Sequence, residues 1–426
     1  MGYLSSLKRK AYLIVARYFR WWADKALRRW QPRIIAVTGS VGKTTMLHLI
    51  ENQLGKRAHY SHNANSAFGI AFDIVGLRGI TNTKLRWFYL LIAVPWRAMT
   101  FTRHREYYVV EIDGERPDEV EFLASWLRPE VTIWVSIGNS HAVYFDRQVA
   151  AGEYETVEEA IAHEFSRLAR HTTKYVIANG DEPLVRASLE KVRVRTDFVS
   201  LSELQDYAVW PNRAEFSFGE SQVYTFSYPM PKETGLQLGM LAKLLLYLEL
   251  PIEYSLKGFT MPPGRSNYFD GVQGTKLVDS SYNAHLISMR SVLDMFDVMQ
   301  TDHKWLVLGD MIEQGKSERD QHEQLAHRIL ESNAERVILV GRRLKTYTLP
   351  IVQTSPTFQV ACFDSPLEAY DYIHSEIHGG ETLLFKGSQY LEWIVEKLLN
   401  DPTHDKALLA RQEPAAIKRR KKRGLL

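Results

Sequence analysis

Ile34-Ile-Ala-Val-Thr-Gly-Ser-Val-Gly-Lys-Thr-Thr45 is an apolar, β-branched run that breaks at Gly39 and resumes after Gly42 as the helix-like stretch Thr44-Thr-Met-Leu-His-Leu-Ile50. The pattern predicts a strand, a glycine loop and a helix N-terminus. Such a loop turns consecutive backbone N–H groups toward an oxyanion, and the positive end of the helix dipole points at the same place. Gly39, Ser40, Val41, Gly42, Lys43, Thr44 and Thr45 are therefore the candidate phosphate-binding residues. In this reading Lys43 bridges phosphates and the Thr44 hydroxyl holds a magnesium ion. Val37 stands where the strict form of the motif has glycine, so the loop is a variant of it.

Around this stretch lie 426 residues, enough for two or three domains. The single cysteine, Cys362, excludes a disulfide framework and a thiolate metal cluster and suits a reducing, cytoplasmic compartment. The first apolar stretch is interrupted by arginines, so no signal peptide is legible. Net charge is +3 but unevenly placed. Residues 1–33 carry a net +8, Lys418-Arg-Arg-Lys-Lys-Arg423 adds +6, and the body between is left at −11.

Residues 3–30 mix leucine, tyrosine and tryptophan with basic residues and contain neither glycine nor proline. They predict a basic amphipathic helix, which either packs on its own domain or lies on an anionic membrane surface. Leu85-Arg-Trp-Phe-Tyr-Leu-Leu-Ile-Ala-Val-Pro-Trp96 is too short to span a bilayer and reads as a buried helix or a membrane-facing patch. Tyr107–Ile112 and Val131–Gly138 are strands, and Glu111 and His141 at their carboxyl ends sit where open α/β sheets place ligands. An acid and an imidazole beside a phosphate loop suit a hard cation. Period-two aromatics between 214 and 228 suggest two antiparallel strands about Gly219. After Met261-Pro-Pro-Gly264 strands alternate with helical patterns, predicting a second parallel α/β domain. The expected fold is thus α/β, a P-loop central domain with a parallel sheet followed by a Rossmann-like α/β domain. Its expected segments are a basic N-terminal helix at 1–33, a central domain at 34–264, a C-terminal domain at 265–408 and a basic tail at 409–426.

Several segments together resemble the Mur ligase family, most of all its D-alanyl-D-alanine-adding branch. They are Thr38–Thr45, Asn63-Ala-Asn65 with Gly69, Glu111, Ile137-Gly-Asn-Ser-His141, Asn179-Gly-Asp181, Arg265, Val278-Asp-Ser-Ser-Tyr-Asn-Ala284, Leu308-Gly-Asp-Met-Ile-Glu-Gln-Gly315 and Lys386-Gly-Ser388. The resemblance implies an ADP-forming carboxylate–amine ligase working through an acyl phosphate in cell-wall precursor synthesis, with ATP and Mg2+ as cofactors. It implies Thr44, Glu111 and His141 as metal ligands, and Lys43, His141 and Glu164 as catalytic residues. It places Arg265 and Asp279 at the nucleotide, with domain closure completing the site, and makes Asn63, Asn65, Asn283, Asp310 and Lys386 candidate substrate contacts. The implied partners are a small-molecule or lipid-linked carboxylate and an amine such as an amino acid or dipeptide.

The chain departs from the family pattern in three ways. Only about 30 residues precede the loop, where the family has a UDP-sugar domain. Glu164 stands where the family has a carbamylated lysine, so it either replaces the carbamate or is a solvated helix acid. Glu233, Thr234 and Gln237 replace the family's adenine-side residues. A folylpolyglutamate or γ-polyglutamate synthase-like ligase, and a catalytically degenerate nucleotide-binding paralogue, are the alternatives. The basic ends are expected to meet the inner face of an anionic membrane. Nucleic acid is not expected as a partner, since a basic run without a recognition fold carries only electrostatic attraction.

Overall fold

The computed structural model describes residues 2–62, 64–79, 84–114, 116–138 and 142–425. They form two compact units. The first comprises Met1–Gly138, Arg147–Ser200 and Leu236–Ile252, and the second Asn139–Asp146, Leu201–Gly235 and Glu253–Leu426.

The first unit is built on a parallel sheet of six strands: β1 (Arg33–Thr38), β2 (Ala58–Tyr60), β3 (Tyr107–Glu111), β4 (Val131–Trp134), β5 (Tyr175–Asn179) and β6 (Arg195–Val199). Their order is β2-β3-β1-β4-β5-β6. The near-continuous apolar runs in β1, β3 and β4 are what a sheet covered on both faces requires. β1 lies centrally, with Val37 opposite Glu111 on β3 and Thr38 opposite Trp134 on β4. This register brings the carboxyl ends of β1, β3 and β4 together, at the point where the strand order switches sides.

The main helices of this unit are α1 (Gly2–Trp30), α2 (Lys43–Leu54), α3 (Ala67–Ile74), α4 (Lys84–Thr100), α5 (Glu119–Leu127) and α6 (Val157–His171), joined by most of α7 (Thr234–Tyr247). α1 ends where Gln31 turns to φ 51° and Pro32 follows. Among its described residues, buried Ala16, Phe19, Ala23, Ala26, Leu27 and Trp30 recur at helical spacing. They meet α3 and α4, with the Phe19 ring edge-on to Phe72 at 4.9 Å and to Phe68 at 6.0 Å. The helix read from residues 3–30 thus packs on its own unit through one face.

The second unit has a six-stranded sheet of β10 (Asn267–Asp270), β11 (Lys276–Ser280), β12 (Lys304–Gly309), β13 (Arg336–Val340), β14 (Gln359–Phe363) and β15 (Thr382–Lys386). The order is β10-β11-β15-β12-β13-β14. All neighbours are parallel except β10 and β11, so the expected parallel sheet carries one antiparallel edge strand. The aromatic repeat forms β8 (Arg213–Ser217) and β9 (Val223–Phe226), antiparallel as expected, and β7 (Asp206–Trp210) completes a three-stranded sheet. Helices α8 (Leu286–Val298), α9 (Glu318–Leu330) and α10 (Leu391–Leu398) flank the larger sheet. The basic tail is a helix, α11 (Pro414–Lys421), whose Arg420 is buried on Glu396 at 2.8 Å.

Candidate active site

At the end of β1 the chain must turn sharply, and the glycines allow it. Gly39 has φ 137°, and a Cβ there would lie 2.8 Å from the Ser136 nitrogen; Gly42, at φ 85°, caps α2. Ser136, in the loop after β4, clasps the turn from below: its hydroxyl accepts from the Val41 N–H and donates to the Val41 carbonyl, both at 2.8 Å. Ser40 donates to the Gly138 carbonyl at 2.8 Å. From α7, Gln237 donates to the Gly42 carbonyl at 3.1 Å. The loop is thereby fixed by contacts on two other segments, and it leads into the start of α2, whose first N–H groups have no helical carbonyl to bond.

The Lys43 side chain is buried and its ammonium donates to the Gly39 carbonyl, with the Asp113 carboxylate 3.4 Å away. Thr44 donates its hydroxyl hydrogen to Glu111 at 3.1 Å, across the β1–β3 pair. Ser61 accepts the Glu111 backbone N–H at 2.9 Å and holds the end of β3 in place. Asn65 meets Asp113 twice: its carbonyl accepts the Asp113 N–H at 3.2 Å, and its amide lies 3.5 Å from the carboxylate. Lys43, Thr44, Glu111 and Asn65 are thus brought together, and Asp113 joins them. Asn63 and His141 lie outside the described residues. A hydroxyl and a carboxylate oxygen at this separation are hard donors of the kind magnesium takes. The donor set therefore fits that ion.

Glu164 is neither solvated nor open. It is buried on α6, where one oxygen accepts the Val120 N–H at the start of α5 at 2.9 Å and the other lies 3.6 Å from Arg167. Burial raises its pKa, with Arg167 opposing. The sign follows: the folded state holds this proton more tightly than the unfolded chain, so this group's contribution to stability falls as pH rises through that window. At neutral pH the charge is a net cost. Glu164→Gln can still accept from Val120, and Arg167 keeps Asp118 at 2.9 Å. The variant should therefore melt higher than the parent at neutral pH and no higher in acid. Thermal melts at two pH values check this.

In the second unit, Lys386 at the end of β15 is opposite Ser280 on β11, next to Asp279. Both Lys386 and Asp279 are buried. Lys386 donates to the Asn283 carbonyl at 2.8 Å. Asp279 accepts the Ser281 N–H at 2.9 Å through one oxygen, and its other oxygen has no hydrogen-bond partner. Burial, reinforced by Arg265 and opposed by Asp279, pushes the Lys386 pKa down to about 7. Burial also raises the Asp279 pKa. Arg265 lies over the Tyr282 ring at 4.7 Å.

Asp310 lies inside the second unit, with its carboxylate held by the chain around it. It is fully buried, accepting the N–H groups of Arg343 and Leu344 at 3.1 and 3.0 Å and the Gln389 amide at 2.8 Å. Its side chain orders the loop around it. Gln237 likewise serves the phosphate loop through Gly42, while Glu233 accepts from Ser291 at 2.5 Å. Asp113 and Ser136 were missed in the sequence; Glu111-Ile-Asp113 offered a signal for the first, two acids closing an apolar strand, and nothing local marks the second. Further along α2, His48 and Glu51 cluster with His62, their ligand atoms within 4.8 Å of one another.

A glycine loop at the carboxyl edge of a parallel sheet, with a buried lysine and a threonine–carboxylate pair at its mouth, defines a P-loop α/β protein. Residues 37–247 match the Mur ligase middle domain and residues 264–389 the Mur ligase glutamate ligase domain, so the chain belongs to the Mur ligase family. It is 23% identical over 389 residues to the UDP-N-acetylmuramoyl-tripeptide–D-alanyl-D-alanine ligase of Bacillus subtilis, covering 89% of this chain and 79% of that one. The enzyme of the same name from Mycobacterium tuberculosis is 22% identical over 329 residues, covering 72% of this chain. The chain spans only 58% of that relative's length. Among solved structures, MurF ligase from Thermotoga maritima in complex with ADP superposes with a TM-score of 0.72 at 19% identity, covering 89% of this chain and 82% of that one. MurF from Acinetobacter baumannii gives 0.70 at 19% identity, covering 91% and 80%.

Proposed function

We propose that the chain is an ADP-forming carboxylate–amine ligase of the MurF type, acting on a cell-wall-related precursor in the cytoplasm. The observation that carries this reading is the Thr44–Glu111 pair at the N-terminus of α2 beside the buried ammonium of Lys43. A substrate carboxylate oxygen attacks the γ-phosphorus of ATP, the bond to the β–γ bridging oxygen breaks, and ADP leaves. The amine then attacks the acyl carbon of the mixed anhydride, loses a proton, and phosphate departs. Charge grows on phosphoryl oxygens in the first step, where Lys43 and the first N–H groups of α2 would stabilise it; the Ser40 and Val41 N–H groups are already taken by Ser136. Magnesium, held by Thr44 and Glu111, with His141 implied by the family pattern, would neutralise phosphate charge. Asn65 positions Asp113, which in turn fixes the Lys43 ammonium. In the second unit, Arg265 and Asp279 are assigned to the nucleotide and Lys386 to the substrate. Glu164 acts through the start of α5.

The test is phosphate release with paired candidate substrates, a peptide carboxylate and an amino acid or dipeptide. ADP formed only when both are present supports a ligase, and ADP formed with neither, or with none of the pairs, counts against it. Glu111→Gln should raise the magnesium concentration needed for half-maximal rate and lower the rate by about a hundredfold or more. An unchanged magnesium profile would remove Glu111 from the site. The same titration on Glu164→Gln separates a metal role, which would move the profile, from a scaffold role, which would not.

A further inference from the structure

The first unit exposes an apolar surface on the outer faces of α1 and α4. On α4, Phe88, Ile92, Trp96 and Met99 recur at helical spacing and are 69%, 75%, 62% and 69% exposed, while Leu90, Ala93, Val94 and Ala98 on the opposite face are buried. On α1, Ile14, Tyr18 and Trp21 form a matching exposed stripe. The two stripes adjoin, since the Tyr18 hydroxyl donates to the Leu91 carbonyl at 2.9 Å and Phe19 faces Trp87 below them. A helix in a soluble protein turns its polar face outward; α4 is apolar on both. Contiguous exposed apolar faces mark contact with another molecule or a membrane.

Charge decides which. The stripe on α1 is edged by exposed Arg17, Lys25, Arg28 and Arg29. The Lys25 ammonium lies 3.7 Å from the centre of the Trp21 ring, and the Arg86 guanidinium 4.7 Å from that of Tyr89, so on each helix a cation sits against an aromatic ring. Beside Trp21 a groove of about 480 Å3 is lined by Arg17, Arg20, Arg28 and Arg128, with Asp24 as its one acid. An apolar centre ringed by aromatic groups and cations is the arrangement of an element lying in a lipid interface, with rings at headgroup depth and arginines on phosphates. Among the described residues no helix is long and apolar enough to cross a membrane, so the face lies on the bilayer rather than through it.

We propose that the α1–α4 face docks onto a bilayer leaflet bearing anionic phospholipid headgroups, α4 entering the acyl boundary and the arginine groove holding headgroup phosphates. The inference is independent of the ligase reading. The test is co-sedimentation of the full chain with phosphatidylcholine vesicles, with and without about 30% phosphatidylglycerol, read together with tryptophan emission. Binding should be at least about tenfold stronger to the anionic vesicles at low salt, with a blue shift from Trp21 and Trp96. Ile92→Glu with Trp96→Glu should abolish it, and Arg17→Glu with Arg28→Glu should remove its dependence on anionic lipid. Both variants change outward-facing groups, and a thermal melt matching the parent shows that each folds. Equal pelleting with and without vesicles, or full binding by the Ile92→Glu/Trp96→Glu variant, overturns the proposal. So does a dimer in sedimentation velocity that this variant dissociates, since the face would then belong to a second copy of the chain. Phosphate release by the same variants with soluble substrates reports on the ligase reading separately.

Discussion

Lys43→Ala should lower ADP formation by at least about a thousandfold, equivalent to about 4 kcal/mol of lost transition-state stabilisation. The ammonium is buried and held at the loop mouth between the Gly39 carbonyl and the Asp113 carboxylate. A cation fixed there costs no reorganisation as charge builds on the γ-phosphoryl oxygens, and its surroundings screen it less than water would. Removing it also leaves Asp113 as a nearby negative charge facing the phosphates, which adds to the loss. Lys43→Ala/Asp113→Asn separates the two contributions: it should recover part of the nucleotide affinity lost by the single variant and little of the rate. Phosphate-release kinetics and calorimetric nucleotide titration measure both. Turnover by Lys43→Ala at the parent rate would remove the loop from the mechanism.

Lys386 should make the second unit more stable as pH rises from neutrality. Its pKa is about 7 in the folded protein, against about 10.4 for an unfolded lysine. Below pH about 7 the ammonium is charged in both states and the cost of burying it is fully present. Between about 7 and 10.4 the unfolded chain keeps the proton that the folded chain has released, so stability climbs by up to roughly 1.4 kcal/mol per pH unit. Above that range the lysine is neutral in both states. Lys386→Met removes the titrating group but strands the Asn283 carbonyl, so its absolute stability is a poor readout. The difference in slope between parent and variant, from denaturant melts at pH 7 to 9, isolates Lys386. Parallel slopes would mean that the lysine stays charged and solvated. A phosphate-bearing ligand beside Lys386 would favour the charged form, so its binding should take up a proton near pH 8, detectable as buffer-dependent heat.

What was legible in the sequence is what local pattern encodes. β1, the glycine turn and α2 follow from twelve consecutive residues, because β-branched side chains, glycines and a helix start each constrain their own neighbourhood. Thr44 and Glu111 could be paired in advance because both lie at ends of apolar strands or the helix that follows one. Ser136 and Gln237 reach the loop from distant segments, and no periodicity records such a contact. Glu164 reads as one acid among several on an amphipathic helix; its burial arises only when α5 arrives to donate Val120. Asp310 was visible as a motif residue, but a motif does not say whether a carboxylate faces a substrate or two backbone N–H groups. The edge strand β10 is four residues long and polar at both ends, too little for a pattern.

The seating of α1 has a practical corollary. Phe19, Ala23 and Trp30 are part of the core, and the Trp30 indole donates to the Arg105 carbonyl at 2.7 Å. Cutting away the first thirty residues would not detach a tether; it would uncover Phe68 and Phe72, and an aggregated product could masquerade as one that had lost its address. Any anchoring through this helix is that of a bracket bolted to a wall, holding the phosphate loop at a set height above whatever surface the bracket meets.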